Sequence, residues 1–110
     1  MLFQSGVFLT STVLGSNPTN ATGAAQTACA DNNRRIGWRI QNLGTVPLFV
    51  KYGSGASAAN FDLVLSAGTV ADNGTGATKE ELNGADYTGI VTVFGAAVGG
   101  RWCSTSWLKG

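Results

Sequence analysis

The stretch from Arg34 to Gly53 constrains the fold of this chain more than any other. Three large apolar side chains, Ile36, Trp38 and Ile40, alternate with residues that are smaller or polar. This two-residue period is typical of a strand with one buried face. A second apolar run, from Val46 to Tyr52, follows a glycine-containing turn. The pattern predicts two strands joined as a β-hairpin.

Similar runs of β-branched and aromatic residues, separated by glycine and asparagine, continue along the chain. Residues 61–65 form one such run, and residues 88–94 and 101–108 predict a second hairpin. The polar residues 79–84 favour a loop over a single helical turn. The sequence therefore predicts an all-β fold, a single antiparallel β-sandwich or jelly roll of about six to eight short strands.

The chain divides into an N-terminal arm, residues 1–33, and a sandwich core, residues 34–110, within one domain. The arm combines a predicted first strand over residues 2–14 with an uncharged loop. Its first residues are apolar in both phases of the strand, which leaves two interpretations open. They form an ordinary first strand, or they reach a neighbouring subunit.

The inward phase of the predicted strands supplies the candidate core. The members share a large apolar side chain in a run of alternating character. They are Ile36, Trp38, Ile40, Leu48, Val50, Phe61, Leu63, Leu65, Ile90 and Phe94.

The charge of the chain argues against a nucleic-acid or membrane partner. The formal net charge is +1 and only 12% of the residues are charged, against about 25% in an average protein. So small a net charge creates no strong field to attract polyanions or anionic lipid. A neutral exterior rich in hydroxyl groups and glycine favours a protein that packs against its neighbours.

The residues offer little material for catalysis or metal binding, and we expect neither an enzyme nor a cofactor. The sequence contains no histidine and two cysteines, Cys29 and Cys103, too few for a zinc site. We expect both thiols to stay reduced; a single disulfide between them is the alternative. The adjacent carboxylates of Glu80 and Glu81 point apart in an extended chain, which does not suit a glycosidase pair.

Candidate contact residues lie at both ends of the chain and in its basic cluster. Apolar residues of the arm, arginines near the first core strand and two tryptophans of the last strand are the strongest candidates for contacts with other protein. The tryptophans fall on opposite faces of their strand, so only one of them can enter the core. The set is Leu2, Phe3, Val7, Phe8, Arg34, Arg35, Arg39, Trp102 and Trp107.

Residues 34–94 together resemble a recurrent module of small β-sandwich virion proteins from tailed bacteriophages. The resemblance rests on a basic residue that opens a strand, the turn at Asn42 and Gly44, and later apolar runs and glycine turns up to Val93. It implies a head decoration (cement) protein. Such a protein forms a homotrimer on the capsid exterior, binds the major capsid protein at threefold and quasi-threefold positions, and is made in the bacterial cytoplasm.

A second hypothesis comes from a different class of function. A module on a phage fibre or spike would bind host glycan or receptor, with Trp102 or Trp107 stacking on a sugar ring.

Overall fold

The computed structural model describes residues 12–15, 18–68, 76–81 and 87–109, and these residues form nine strands and no helix. The all-β prediction is confirmed. The strands, numbered in chain order, are β1 (Thr12–Gly15), β2 (Thr19–Asn20), β3 (Gln26–Cys29), β4 (Arg35–Asn42), β5 (Leu48–Tyr52), β6 (Leu63–Leu65), β7 (Thr78–Glu81), β8 (Val91–Phe94) and β9 (Arg101–Leu108).

Two antiparallel sheets pack face to face as a sandwich. In the first sheet, called sheet A, the order is β1-β9-β4-β7, and β2 also pairs with β9. In the second, sheet B, the order is β3-β8-β5-β6. The chain crosses repeatedly between the sheets, which is the connectivity of a jelly roll. Nine strands are described instead of about six to eight because β2, β3 and β7 lie in stretches for which the sequence predicts no strand.

Neither predicted hairpin forms. β4 belongs to sheet A and β5 to sheet B, and β8 and β9 are divided in the same way. Within the described part of the chain, β5 and β6 are consecutive strands that do pair with each other. The glycine-containing turns do reverse the direction of the chain, but most of these reversals carry it from one sheet to the other.

Asn42, at the end of β4, explains why the chain leaves sheet A there. Its side chain is fully buried, and its amide nitrogen donates to the carbonyl oxygens of Val46 (2.9 Å) and Leu65 (3.0 Å). Its side-chain oxygen accepts a bond from the backbone N–H of Gly44 at 2.8 Å. One side chain thus satisfies three backbone groups that a tight hairpin would have paired differently.

The two crossing loops stack against each other at the same end of the sandwich. The backbone N–H of Leu43 donates to the carbonyl of Arg101 (2.8 Å), and that of Thr45 donates to the carbonyl of Gly99 (3.0 Å). A Cβ atom at Gly44 would overlap this Gly99 oxygen. Glycine is therefore required at this close approach of two backbones.

The core lies between the sheets and is centred on fully buried side chains of β4, β5 and β8. Of the predicted core residues, Trp38, Ile40, Leu48, Val50 and Leu65 are buried. The structure leaves three others, Ile36, Leu63 and Ile90, partly buried. Val91 and Val93, which the sequence did not single out, complete the centre.

Two predicted core residues lie elsewhere. The side chain of Phe61 is 41% exposed, because the residue precedes β6 and is not part of it. Phe94 is in register with Phe49 and contacts its ring on the outer face of sheet B, with the ring centroids 6.1 Å apart. Alternation alone predicts both phenylalanines in the core. Phe61 is outside because β6 begins only at Leu63, and Phe94 is outside because the other phase of β8, with Val91 and Val93, faces inward.

A register shift in β4 changes the phase at its start. Arg35 pairs with Leu108 and Gly37 with Trp107, so one extra residue is accommodated between the two pairs. A bulge of this kind turns the preceding side chain to the other face. As a result Arg35 is buried and Ile36 only half-buried.

The segment predicted as a loop after residue 78 is the edge strand β7. It pairs with β4, with Arg39 opposite Glu80 and Ile40 opposite Lys79. The ion pair between Arg39 and Glu80, with the two atoms 3.4 Å apart, joins the strands across the outer face. Charged residues are common on edge strands, since they discourage pairing with other chains.

The predicted arm contributes strands to both sheets in its described part. β1 and β2 lie in sheet A, and β3 lies in sheet B. β2 falls within the stretch that was predicted as a loop. Residues 1–11 lie outside the described residues, and with them Leu2, Phe3, Val7 and Phe8.

Replacing Asn42 by alanine should destabilise the fold strongly. The change leaves the buried carbonyls of Val46 and Leu65 and the N–H of Gly44 without their partner, and each such loss costs about 1–3 kcal/mol. We expect the free energy of unfolding, measured by urea titration, to fall by about 3 kcal/mol or more.

The exposed Asn60, whose side chain donates a single hydrogen bond to Gly55, provides the control. Its alanine variant should lose less than about 1 kcal/mol of unfolding free energy. Equal losses would contradict the role of Asn42.

Candidate interaction surfaces

The basic cluster predicted as a contact surface divides between the surface and the interior. Arg34 and Arg39 are exposed, but Arg35 is only 3% exposed. The buried guanidinium group donates to the carbonyl oxygens of Ala30 (2.9 Å), Tyr87 (3.0 Å) and Gly89 (2.7 Å). Arg35 therefore links two connecting segments and does not lie on the outer surface where a protein partner would dock.

The two tryptophans of β9 occupy opposite faces, and the structure shows which one is internal. Trp102 is 3% exposed, belongs to the core and donates its indole N–H to the Gln26 side chain at 3.1 Å. Its prediction as a contact residue is wrong, because its strand phase faces sheet B. Trp107 is half-buried on the outer face of sheet A.

Trp107 shares the outer face of sheet A with a charged pair. The Arg39 guanidinium carbon lies 5.7 Å from the centroid of the Trp107 ring, within the range of a cation–π contact. Arg39 also pairs with Glu80, and both of these side chains are nearly half exposed. Arginine and tryptophan are enriched at protein interfaces. A sugar that stacked on the same ring face would first have to displace Arg39.

The edges of sheet A differ sharply from each other. β7 carries Lys79, Glu80 and Glu81, whereas β1 has no charged residue. In β1 the side chains of Val13 and Leu14 are 58% and 51% exposed. Among the described residues β1 has a paired neighbour on one side alone. An apolar edge strand without lysine or proline is a template for pairing with another chain.

The outer face of sheet B carries an aromatic patch, formed by Phe49, Phe61, Val64 and Phe94. The rings of Phe49 and Phe61 have centroids 5.0 Å apart, and Phe49 lies between Val64 and Phe94 in register. Phe61 and Val64 are each more than two-fifths exposed. Lys51 and Asp62, 3.6 Å apart, are paired beside the patch. Contiguous exposed apolar side chains of this kind mark contact surfaces.

The two thiols and the hydroxyl of Tyr52 have raised pKa values. Burial raises the pKa of both thiols, Cys29 and Cys103. Both are therefore protonated and poorly nucleophilic near neutral pH. Both cysteines are free. Burial raises the pKa of Tyr52, and the hydrogen bond that its hydroxyl donates to Glu81 at 2.9 Å raises it further.

The carboxylates of Glu80 and Glu81 serve different partners. Glu80 pairs with Arg39 on the outer face, while Glu81 accepts the Tyr52 hydroxyl and pairs with Lys79 at 3.7 Å. Among the residues that the structure describes, no three His, Cys, Asp or Glu side chains cluster as metal ligands would. None of the described segments is a helix long and apolar enough to span a membrane.

Comparison with known proteins gives one structural likeness. No family model and no curated protein matches this chain. A solved structure from work on Bacillus endospore appendages, described as a novel family of disulfide-linked pili, superposes with a TM-score of 0.47. The two chains are 18% identical over 99% of this chain and 98% of the other. These values are too low to transfer any conclusion about assembly or function.

The two tryptophans of β9 should respond differently to replacement by alanine. Removal of the buried Trp102 side chain leaves a core cavity, and we expect the free energy of unfolding to fall by about 3–5 kcal/mol. Removal of Trp107 deletes a surface contact with Arg39, which is worth about 0.5–1 kcal/mol. Chemical denaturation of both variants measures the difference. A loss for Trp107→Ala as large as that for Trp102→Ala would place the wrong tryptophan in the core.

Proposed function

We propose that this chain is a non-enzymatic structural protein that acts by assembling with copies of itself and with a larger protein shell. The observation that carries the proposal is the edge of sheet A at β1, which pairs on one side only among the described residues. Val13 and Leu14 are exposed there, and β1 itself has no charged residue. Its opposite edge, β7, carries three charged residues. A sheet that needed protection from all partners would have charges on both edges.

The aromatic patch on sheet B supports the same proposal. Phe49, Phe61, Val64 and Phe94 lie together, and the Lys51–Asp62 pair beside them adds no net charge. A neutral apolar surface suits a protein partner better than a polyanion. A standard protein interface buries about 1,600 Å² in total. Repetition in a closed shell multiplies weak contacts through multivalency.

The particular assembly that we propose is the head of a tailed bacteriophage. On this proposal the chain is a decoration protein on the capsid exterior, a homotrimer that binds the major capsid protein at threefold and quasi-threefold positions. The resemblance of residues 34–94 to phage virion modules, the low net charge and the sandwich fold support this.

Glycan or receptor binding on a fibre or spike is the second candidate. The observation in its favour is that Trp107 remains at the outer face, although the Arg39 contact covers part of its ring. Trp102 no longer supports this hypothesis, because it is buried.

A lysine on the apolar edge should weaken self-association. Sedimentation velocity over a range of concentrations should show that the natural protein associates. The Val13→Lys variant should need at least about tenfold more protein for the same degree of association, because a lysine on an edge strand discourages pairing. Thr78→Lys, on the edge that is already charged, serves as the matched control and should behave as the natural protein. Equal behaviour of the two variants, or a natural protein that stays monomeric, would contradict assembly through β1.

Phage heads without decoration provide the test of the particular assembly. When the purified protein is mixed with such heads and imaged by cryo-electron microscopy, we expect new density at the threefold and quasi-threefold positions. The isolated protein should give no signal on a glycan array. Heads without added density, together with a specific glycan signal, would replace the decoration proposal by the second candidate.

A further inference from the structure

A cleft of ≈ 210 Å³ opens between the edge strands of the two sheets. β1 and β9 of sheet A form one wall, and β3 of sheet B forms the other. Its apolar part comprises Leu14, Ala28, Ala30 and Leu108, and its polar part includes Arg35 and Ser106. This cleft is separate from the aromatic patch and from the outer face of sheet A.

Arg35 gives the cleft an unusual electrostatic character. The residue is 3% exposed, and its guanidinium group donates to three carbonyl oxygens and to no carboxylate of the described residues. None of the ion pairs among the described residues involves it. Its Nε atom is buried and has no hydrogen-bond partner. A buried positive charge without a counter-charge is costly.

The positive charge of Arg35 at the wall of the cleft therefore favours the binding of a negatively charged group. Carbonyl dipoles and the Tyr87 ring, whose centroid is 6.0 Å from the guanidinium carbon, stabilise this cation in part. Attraction between a cation and an anion is far stronger in such a poorly solvated place than in water. A carboxylate near Arg35 would supply a counter-charge that no ion pair among the described residues provides.

The apolar part of the cleft indicates the rest of the ligand. Leu14 is 51% exposed although it is in register with the inward-facing Ser106. A short hydrocarbon chain lying against Leu14 and Ala28 would remove this surface from water.

We infer that this cleft binds a short amphipathic carboxylate, with the carboxylate towards Arg35 and the hydrocarbon chain against Leu14. Pentanoate, which joins a carboxylate to a short hydrocarbon chain, serves as the probe. Leu14 also belongs to the apolar edge at β1, but the preference for an anion depends on Arg35, which is not part of that edge. The preference therefore tests this inference separately from the assembly proposed above.

Equilibrium dialysis of the full chain against labelled pentanoate tests the inference at any assembly state. We expect saturable binding of about one pentanoate per chain, at least tenfold tighter than the binding of pentanol or pentylammonium. Equal binding of pentanol would show an apolar cleft without anion selectivity and would overturn the inference. Absence of saturable binding would overturn it as well.

Variants locate the bound probe. Leu14→Ala should weaken pentanoate binding at least threefold, whereas Val98→Ala, which trims an exposed side chain far from the cleft, should leave it unchanged. Arg35→Met should abolish the preference for pentanoate over pentanol. Should this variant fail to fold, as judged by circular dichroism, the comparison of the three probes on the natural protein still decides. Unchanged binding by Leu14→Ala would contradict the location.

Discussion

The buried side chain of Asn42 is the interaction on which the rest of the sandwich depends. It satisfies two carbonyls and one N–H at the point where the chain leaves sheet A for sheet B. Without these bonds, three backbone groups would be buried and unpaired, a situation that folded proteins avoid. The crossing after Asn42 fixes the position of β5. Backbone hydrogen bonds from this crossing loop to the loop between β8 and β9 align the two crossings with each other.

Much of the fold could be predicted from the sequence, but its connectivity could not. Alternation placed Trp38, Ile40, Leu48 and Val50 in the core, since a buried sheet face imposes a two-residue period. The reversals after Asn42 and Phe94 were read as hairpins, because a turn signal does not say whether the next strand pairs with the last or crosses the core. That choice depends on the stacking of Gly44 against Gly99, a contact between residues far apart in the chain.

The interaction surfaces were predictable only in part, for related reasons. Alternation showed that Trp102 and Trp107 face opposite ways, and only the position of sheet B decides which face is internal. Arg35 was predicted at the surface because a bulge cannot be read from the pattern of its neighbours. The aromatic patch combines residues of β5, β6 and β8 with Phe61, which precedes β6. These residues are neighbours because of the sheet order β8-β5-β6, which the sequence does not reveal. The open edge at β1 likewise depends on which strands lie outermost.

Assembly through the apolar edge of sheet A is the central claim of this account, and hydrogen exchange tests it most directly. Amide exchange of the full chain can be followed at dilute and at assembling concentrations, strand by strand. The account predicts that the amides of β1 become protected at the higher concentration, since a new chain would pair with them, while those of β7 exchange equally at both. Equal exchange of β1 at the two concentrations, or new protection confined to β7, would contradict it.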